Sequence, residues 1–218
     1  MHLLATTSGV VDGAAEAIDL KQSAGDIVIL SAADSELANL VGALDRLGDD
    51  MPRVRLANLL LLQHNYSVDL YCERTLAKAK LIVVRLLGGE SYWPYGVASL
   101  RALAAETGAR LAILPGGSAA DPGTSALSTL PPAETERLRQ YFALGGPANA
   151  EALLRFCASL LSGSDDAPLP TAFPSTAVYR DSPGSKGRIG VLFYRSLIEG
   201  GQTRPIDMLC DELAGRGF

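Results

Sequence analysis

An α/β fold is what this sequence predicts: an open, mainly parallel sheet flanked by helices on both faces. Three observations carry the prediction. Short apolar runs alternate along the chain with longer amphipathic segments. Several of those runs, IVIL at 27–30, LIVV at 81–84 and LAIL at 111–114, are apolar on both faces, which suits strands covered from two sides. The 218 residues are 48% hydrophobic and 20% charged, a globular balance unlike that of disordered chains.

The elements follow in order. The first strand is expected at Leu3–Thr6 and the second at Asp26–Ser31. Asp34 or Ser35 caps a helix to about Leu47, where Gly48 stops it. Arg53–Leu61 is the third strand. Ser67 caps SVDLYCERTLAKA, a helix whose Leu70, Arg74 and Ala77 fall on neighbouring turns. Lys80–Leu86 is the fourth strand. Pro94 opens a helix to Thr107, with Gly108 as its stop. Arg110–Leu114 is the fifth strand. Pro131 and Pro132 open a helix through Phe142, and Pro147 or Asn149 opens another through Leu161. Strand and helix in alternation imply right-handed crossovers, as in sheets of flavodoxin or Rossmann type. In such sheets ligands bind beyond the carboxyl ends of the strands.

Residues 1–162 therefore read as one α/β domain. Residues 163–187, rich in Pro, Ser, Gly and Asp, read as a linker. Residues 188–218 restart the rhythm, with a strand at Arg188–Tyr194 and a helix from about Arg204 to Ala214. They read as the first strand and helix of a second α/β unit. One strand and one helix cannot bury a core, so the sequence is expected to be the front part of a longer protein.

Bulk properties exclude several classes. Net charge is -5 and no basic block occurs, so nucleic acid has no electrostatic footprint and anionic membranes are disfavoured. The longest apolar stretch, LANLLLL, is broken by Asn58 and falls far short of the roughly 20 residues a membrane helix needs. MHLLATTSGVVDGAAE lacks the basic and apolar regions of a signal peptide. Cys72, Cys157 and Cys210 lie far apart with no CxxC pair, which reads as buried free thiols in a reducing cytoplasm. His2 and His64 are the only histidines and form no HxxxH or HExxH, so no metal motif is present. LPGGSAAD exposes backbone N–H groups but has no Lys, and neither GxGxxG nor GxSxG occurs.

Two loops stand out. RLLGGESYWPYG, at 85–96, follows a buried strand and holds the only Trp. Its glycines permit a sharp turn, Tyr92, Trp93 and Tyr95 offer aromatic faces with polar tips, and Glu90 is the one candidate for proton transfer. The competing reading is that Trp93 and Tyr95 plug the sheet edge and hold the helix that follows. FYRSLIEGGQT places Arg195 at an expected strand's carboxyl end, with Gln202 and Thr203 before a helix, an arrangement suited to holding an anion or carboxylate. The competing reading there is a packed loop with Thr203 as N-cap.

AKLIVVRLLGGESYWPYGVASL, GDIVILSAADSELANL and GVLFYRSLIEGGQTRPIDMLCDELAGRGF together resemble the cobaltochelatase large subunit (CobN type), whose close relative is the magnesium-chelatase large subunit. The most specific parts are RLLGG-x-x-YWPYG and LFYRS-x(5)-GQT-x-PID; GGQT departs from a more usual Gly-Asn-Thr at Gln202. The resemblance implies the N-terminal part of a cytoplasmic subunit that binds the tetrapyrrole and carries metal insertion. It implies an AAA+ ATPase subunit and a companion subunit as partners, which use the ATP. The cobalt ion and the tetrapyrrole, hydrogenobyrinic acid a,c-diamide, are then substrates in aerobic cobalamin synthesis, and this segment holds no cofactor of its own. Under it, Tyr92, Trp93 and Tyr95 stack on the macrocycle. Arg195, Gln202 and Thr203 reach its arms, and the inserting residues lie beyond 218, leaving the segment alone inactive. The alternatives are a magnesium-chelatase-like subunit acting on protoporphyrin, a non-catalytic head that docks the ATPase partners, and an independent flavodoxin-like small-molecule domain.

Overall fold

Four of the apolar runs find one another as a single parallel sheet. The strands are β1 (Ile27–Ser31), β2 (Val54–Asn58), β3 (Leu81–Leu86) and β4 (Arg110–Pro115), in the order β2-β1-β3-β4. Every neighbouring pair is parallel. The computed structural model describes residues 16–218 apart from Asp165 and Pro183, so the strand expected at Leu3–Thr6, like His2, lies outside the described residues. The helices are α1 (Asp34–Leu47), α2 (Asn65–Tyr71), α3 (Pro94–Thr107), α4 (Pro122–Ser125), α5 (Pro132–Leu144), α6 (Pro147–Ser162), α7 (Ser196–Glu199) and α8 (Arg204–Gly215).

The chain leaves β1 for β2 on one side, then returns through α2 to β3 on the other. That reversal sets a topological switch point between the carboxyl ends of β1 and β3. Alternate strand residues feed two cores, as the two-sided apolar pattern requires. Val28, Leu30, Ile82, Val84, Leu111 and Ile113 pack with Val68 and Tyr71 of α2 and Val97 and Leu100 of α3. Ile27, Ile29, Leu81, Val83, Ala112 and Leu114 pack with Leu40 of α1, Leu138 and Tyr141 of α5, and Leu153 of α6. Each fully buried aliphatic side chain contributes about 1.5–3 kcal/mol, so these two layers dominate the stability.

Three local expectations are corrected. β2 ends at Asn58, not Leu61, because Leu59–Leu62 coils into a 3-10 turn. The turn puts Leu59 and Leu62 into the core together, and the Asn58 side chain accepts the Leu60 N–H at 2.9 Å. His64, not Ser67, caps α2: its Nδ1 accepts the Tyr66 N–H at 3.1 Å, while the buried Ser67 hydroxyl accepts the Ile18 N–H at 2.8 Å. α1 starts at Asp34 with no side-chain cap, and Ser31 Oγ accepts the Ala33 N–H at 3.1 Å just before it.

Both edges of the sheet are covered by segments that are not strands. Beyond β4, Thr129 Oγ1 accepts the Leu111 N–H and Ser128 Oγ the Ile113 N–H, each at 2.8 Å. Beside β2, Gln22 Nε2 donates to the Leu56 carbonyl at 2.9 Å. After α6 the chain is laced back onto the helices: Asn149 exchanges two hydrogen bonds with the Thr171 backbone at 2.8 and 2.9 Å.

The strand expected at Arg188–Tyr194 is not formed. These residues make no ladder with any described segment, and a strand exists only as a member of one. The helix expected after them is present as α8, but no described residue from Pro168 to Phe218 is buried.

Candidate functional site

The last rung shared by β2, β1 and β3 is polar. Register places Asn58, Ser31 and Arg85 side by side at the carboxyl ends of β2, β1 and β3. Arg85 is the penultimate residue of an otherwise apolar strand, yet its side chain is only 6% exposed. Burial of a guanidinium is tolerated only when its donors are paired. Here they are: Nη2 donates to Glu36 Oε1 at 2.9 Å and to the Gly116 carbonyl at 3.0 Å, and Nη1 to the Pro115 carbonyl at 2.8 Å. Ser31 Oγ donates to the other Glu36 oxygen at 2.6 Å, and the Phe142 ring lies 5.0 Å from the guanidinium carbon. Asn58 Nδ2 donates to Asp34 at 2.6 Å on the same rim.

The Ser31–Glu36–Arg85 network thus fills the switch point. Over it lies a cavity of about 230 Å3, lined by Glu36, Asn39 and Phe142 and roofed by Ser196 and Glu199 of α7. Two glycine pairs let α7 approach. A Cβ on Gly145 would lie 3.0 Å from the Glu199 carbonyl, and one on Gly201 2.7 Å from Asn39 Oδ1. The Glu199 carbonyl also accepts the Gly146 N–H at 2.6 Å. Pockets that enclose drug-sized ligands run to about 300–1,000 Å3, so this one admits only something smaller than a macrocycle.

Gly88 and Gly89 make the sharp turn expected of them, with φ of 95° and 74°. Glu90 then lies exposed at the start of a 3-10 turn. Trp93 is 4% exposed and its indole N–H donates to the Leu62 carbonyl at 2.8 Å, so it plugs the space between β3 and the end of β2. Its ring lies against Gly96, where a Cβ would sit 2.0 Å from it. The spacing of Trp93 and Gly96 in WPYG is therefore a packing device: the indole folds back onto the first turn of α3, which only glycine leaves open. Tyr92 and Tyr95 remain on the surface, 37% and 38% exposed. Tyr95 donates to Asp69 Oδ1 at 2.7 Å, and that bond raises its phenol above the ordinary value.

The second loop is built differently. Arg195 pairs with Glu199 of its own α7 at 2.7 Å. Thr203 holds the N-cap position of α8 through its carbonyl, which accepts the Ile206 and Asp207 N–H groups at 2.9 Å, while its hydroxyl makes no cap bond. Gln202 is exposed, and its backbone N–H donates to the Leu197 carbonyl at 2.7 Å. Among the described residues the two loops make no hydrogen bond or ion pair with each other.

A larger cavity, about 580 Å3, lies between residues 173–182, residues 188–193 and α8. Among the described residues no three His, Cys, Asp or Glu side chains gather around one ion position, and no helix is long and apolar enough to cross a membrane. Sequence reasoning missed Arg85, Glu36 and Ser31. The signal was present: a lone Arg inside LIVVRLL is a charge on a strand otherwise built for full burial.

Sheet order, switch point and carboxyl-edge loops define a doubly wound α/β domain. Compared with curated proteins, the whole chain aligns with the aerobic cobaltochelatase subunit CobN of a Sinorhizobium species, 39% identical over 238 aligned residues. It aligns equally fully with the subunit of the same name from Pseudomonas aeruginosa, 40% identical over 235. By sequence the chain belongs to this cobaltochelatase CobN family. It spans 19% and 18% of the length of those two relatives. No family model and no solved structure matches it.

Proposed function

We propose that this chain is the N-terminal part of the tetrapyrrole-binding large subunit of an ATP-dependent cobaltochelatase. That subunit inserts Co2+ into hydrogenobyrinic acid a,c-diamide in aerobic cobalamin synthesis, with an AAA+ ATPase and a companion subunit as partners. The observation that carries the reading is the alignment of the entire chain with two relatives of that name at 39% and 40% identity. Within the subunit, residues 1–162 form one domain, 163–187 its connector, and 188–218 the opening of a second.

One observation favours a non-catalytic part for the first domain, as a head that meets partners. Its switch point is filled by the Arg85–Glu36 pair, and the cavity above it, about 230 Å3, is too small for a macrocycle. Of the aromatic loop, only Tyr92 and Tyr95 retain faces that a macrocycle reaches, and Trp93 acts as core. Arg195 meets a carboxylate arm only by giving up Glu199.

The test is cobalt uptake by the full-length subunit with both partner subunits and ATP, followed by the absorbance change of hydrogenobyrinic acid a,c-diamide. Metal insertion that depends on the full-length subunit supports the reading. Insertion of magnesium into protoporphyrin, with no cobalt uptake, overturns the cobalt assignment in favour of the magnesium branch. Trp93→Phe should leave the tetrapyrrole affinity unchanged; a loss of ten-fold or more would return Trp93 to the binding surface.

A further inference from the structure

We infer that residues 188–194 and α8 are half of a β–α layer, completed by a β-strand from the remainder of the large subunit. The inference rests on the reading of this chain as a segment of that subunit. RIGVLFY is apolar on both faces, the pattern of a strand buried in the middle of a sheet. Here residues 189–193 make no backbone hydrogen bond with any described residue, and Leu192 is 100%, Tyr194 85% and Ile189 49% exposed. α8 carries Ile206, Cys210 and Leu213 at helical spacing on one side, and all three face the cavity of about 580 Å3 together with Val191 and Phe193.

The groove is held open rather than collapsed. Tyr179 donates to Asp207 at 2.9 Å and Arg180 to Asp211 at 2.6 Å, which fixes the 173–182 segment on α8. Tyr179 also meets the Phe193 ring edge-on at 5.5 Å.

The occupant follows from what the groove offers. Its arginines are already matched: Arg180 with Asp211, Arg188 with Asp181 and Arg195 with Glu199. No charge is left over for an anionic small molecule. What remains is apolar side chains, the hydroxyls of Ser175, Thr176 and Ser182, and the backbone N–H and C=O groups of 189–193, which bond to no described backbone; another strand satisfies the apolar side chains and that backbone together. The two relatives supply it by length, since about four fifths of each lies outside the aligned region. After a strand and a helix, the arrangement of lowest cost is a parallel neighbour reached by a right-handed crossover.

Hydrogen exchange read by mass spectrometry tests this on the full-length subunit and on the 218-residue chain. In the full-length subunit the peptide covering 188–194 should exchange at least ten-fold more slowly than in the short chain. Cys210, half-buried and open to the groove, should become resistant to alkylation there as well. Leu192→Asp in the full-length subunit should restore both. Equal exchange in the two proteins overturns the inference. So does protection of the short chain that grows with its concentration, which marks a second copy, or protection that needs added tetrapyrrole, which marks a ligand site. Cobalt uptake measured on the same preparation separates the two ideas: uptake with open 188–194 amides sinks the inference and leaves the proposed function standing.

Discussion

Trp93 owes its position to a glycine three residues on. With a Cβ on Gly96 only 2.0 Å from the indole, alanine there displaces the ring or the first turn of α3. Removing the indole reverses the sign, because alanine is the better helix residue by about 1 kcal/mol. Gly96→Ala alone should therefore destabilise by about 2–4 kcal/mol, and Trp93→Ala alone by about 3–5. Gly96→Ala in the Trp93→Ala background should be neutral or stabilising. Urea unfolding of the four proteins measures that coupling, and additive losses would refute it. A second residue-scale expectation concerns acid. The Arg139 hydrogen bond holds the Glu136 carboxyl below its ordinary value, and the Arg53 hydrogen bond does the same for Asp26. Both bind protons more weakly folded than unfolded. Their contribution is complete above the unfolded values, 4.5 and 3.8, and is lost as pH falls through the lower folded ones. Arg139→Gln should flatten the fall in melting temperature between about pH 5 and 3, and an unchanged slope would assign that fall to other groups.

At the scale of the element, what was legible in the sequence was what local chemistry decides. IVIL, LIVV and LAIL announced β1, β3 and β4, while Pro94 and Gly108 marked both ends of α3. What was not legible depended on partners far away in sequence. Glu36 and Arg85 are 49 positions apart and meet only once β1 and β3 pair. Arg188–Tyr194 has the composition of a strand, but a ladder needs a neighbour that apolar pattern alone does not supply. Leu59–Leu62 is apolar enough for a strand, yet two of its leucines reach the same core only as a tight turn. Ser67 looked like a cap and is a buried acceptor instead, while His64 takes the cap. His64→Ala should cost about 1 kcal/mol and His64→Asn a few tenths at most, since Asn also accepts the N2 amide. Equal losses in thermal unfolding would show that the imidazole packs rather than caps. Thr129→Val, which keeps the shape and removes the acceptor of the Leu111 N–H, should cost about 1–3 kcal/mol. It should also raise light scattering on warming, because the β4 edge is then open to pairing.

At the scale of the whole molecule, packing is uneven. Every strand and each of the longer helices α1, α3, α5 and α6 contributes buried side chains, whereas α7 and α8 contribute none. Asn149 and Tyr141 still grip the backbone through Thr171. Limited proteolysis should therefore cut first between about 174 and 195, where segments are exposed and bonded mainly to one another and to the exposed α8, and leave a resistant core ending near 171. First cuts inside 27–160 would contradict this layering. Cys157 gives an internal check: burial pushes its thiol up to about 12, so it should resist thiol reagents at pH 8 until the core itself opens.

The hydroxyls of Ser128 and Thr129 and the amide of Gln22 occupy hydrogen-bonding positions that a fifth strand would otherwise take. A partner approaching the β4 edge finds the Leu111 and Ile113 N–H groups already taken, and on the β2 edge it finds the Leu56 carbonyl taken. It has to recognise individual side chains on the helical faces or the carboxyl rim, and affinity built that way is changed by single substitutions. Two homologous domains with the same architecture can thus drift to different partners without disturbing a rung of the sheet.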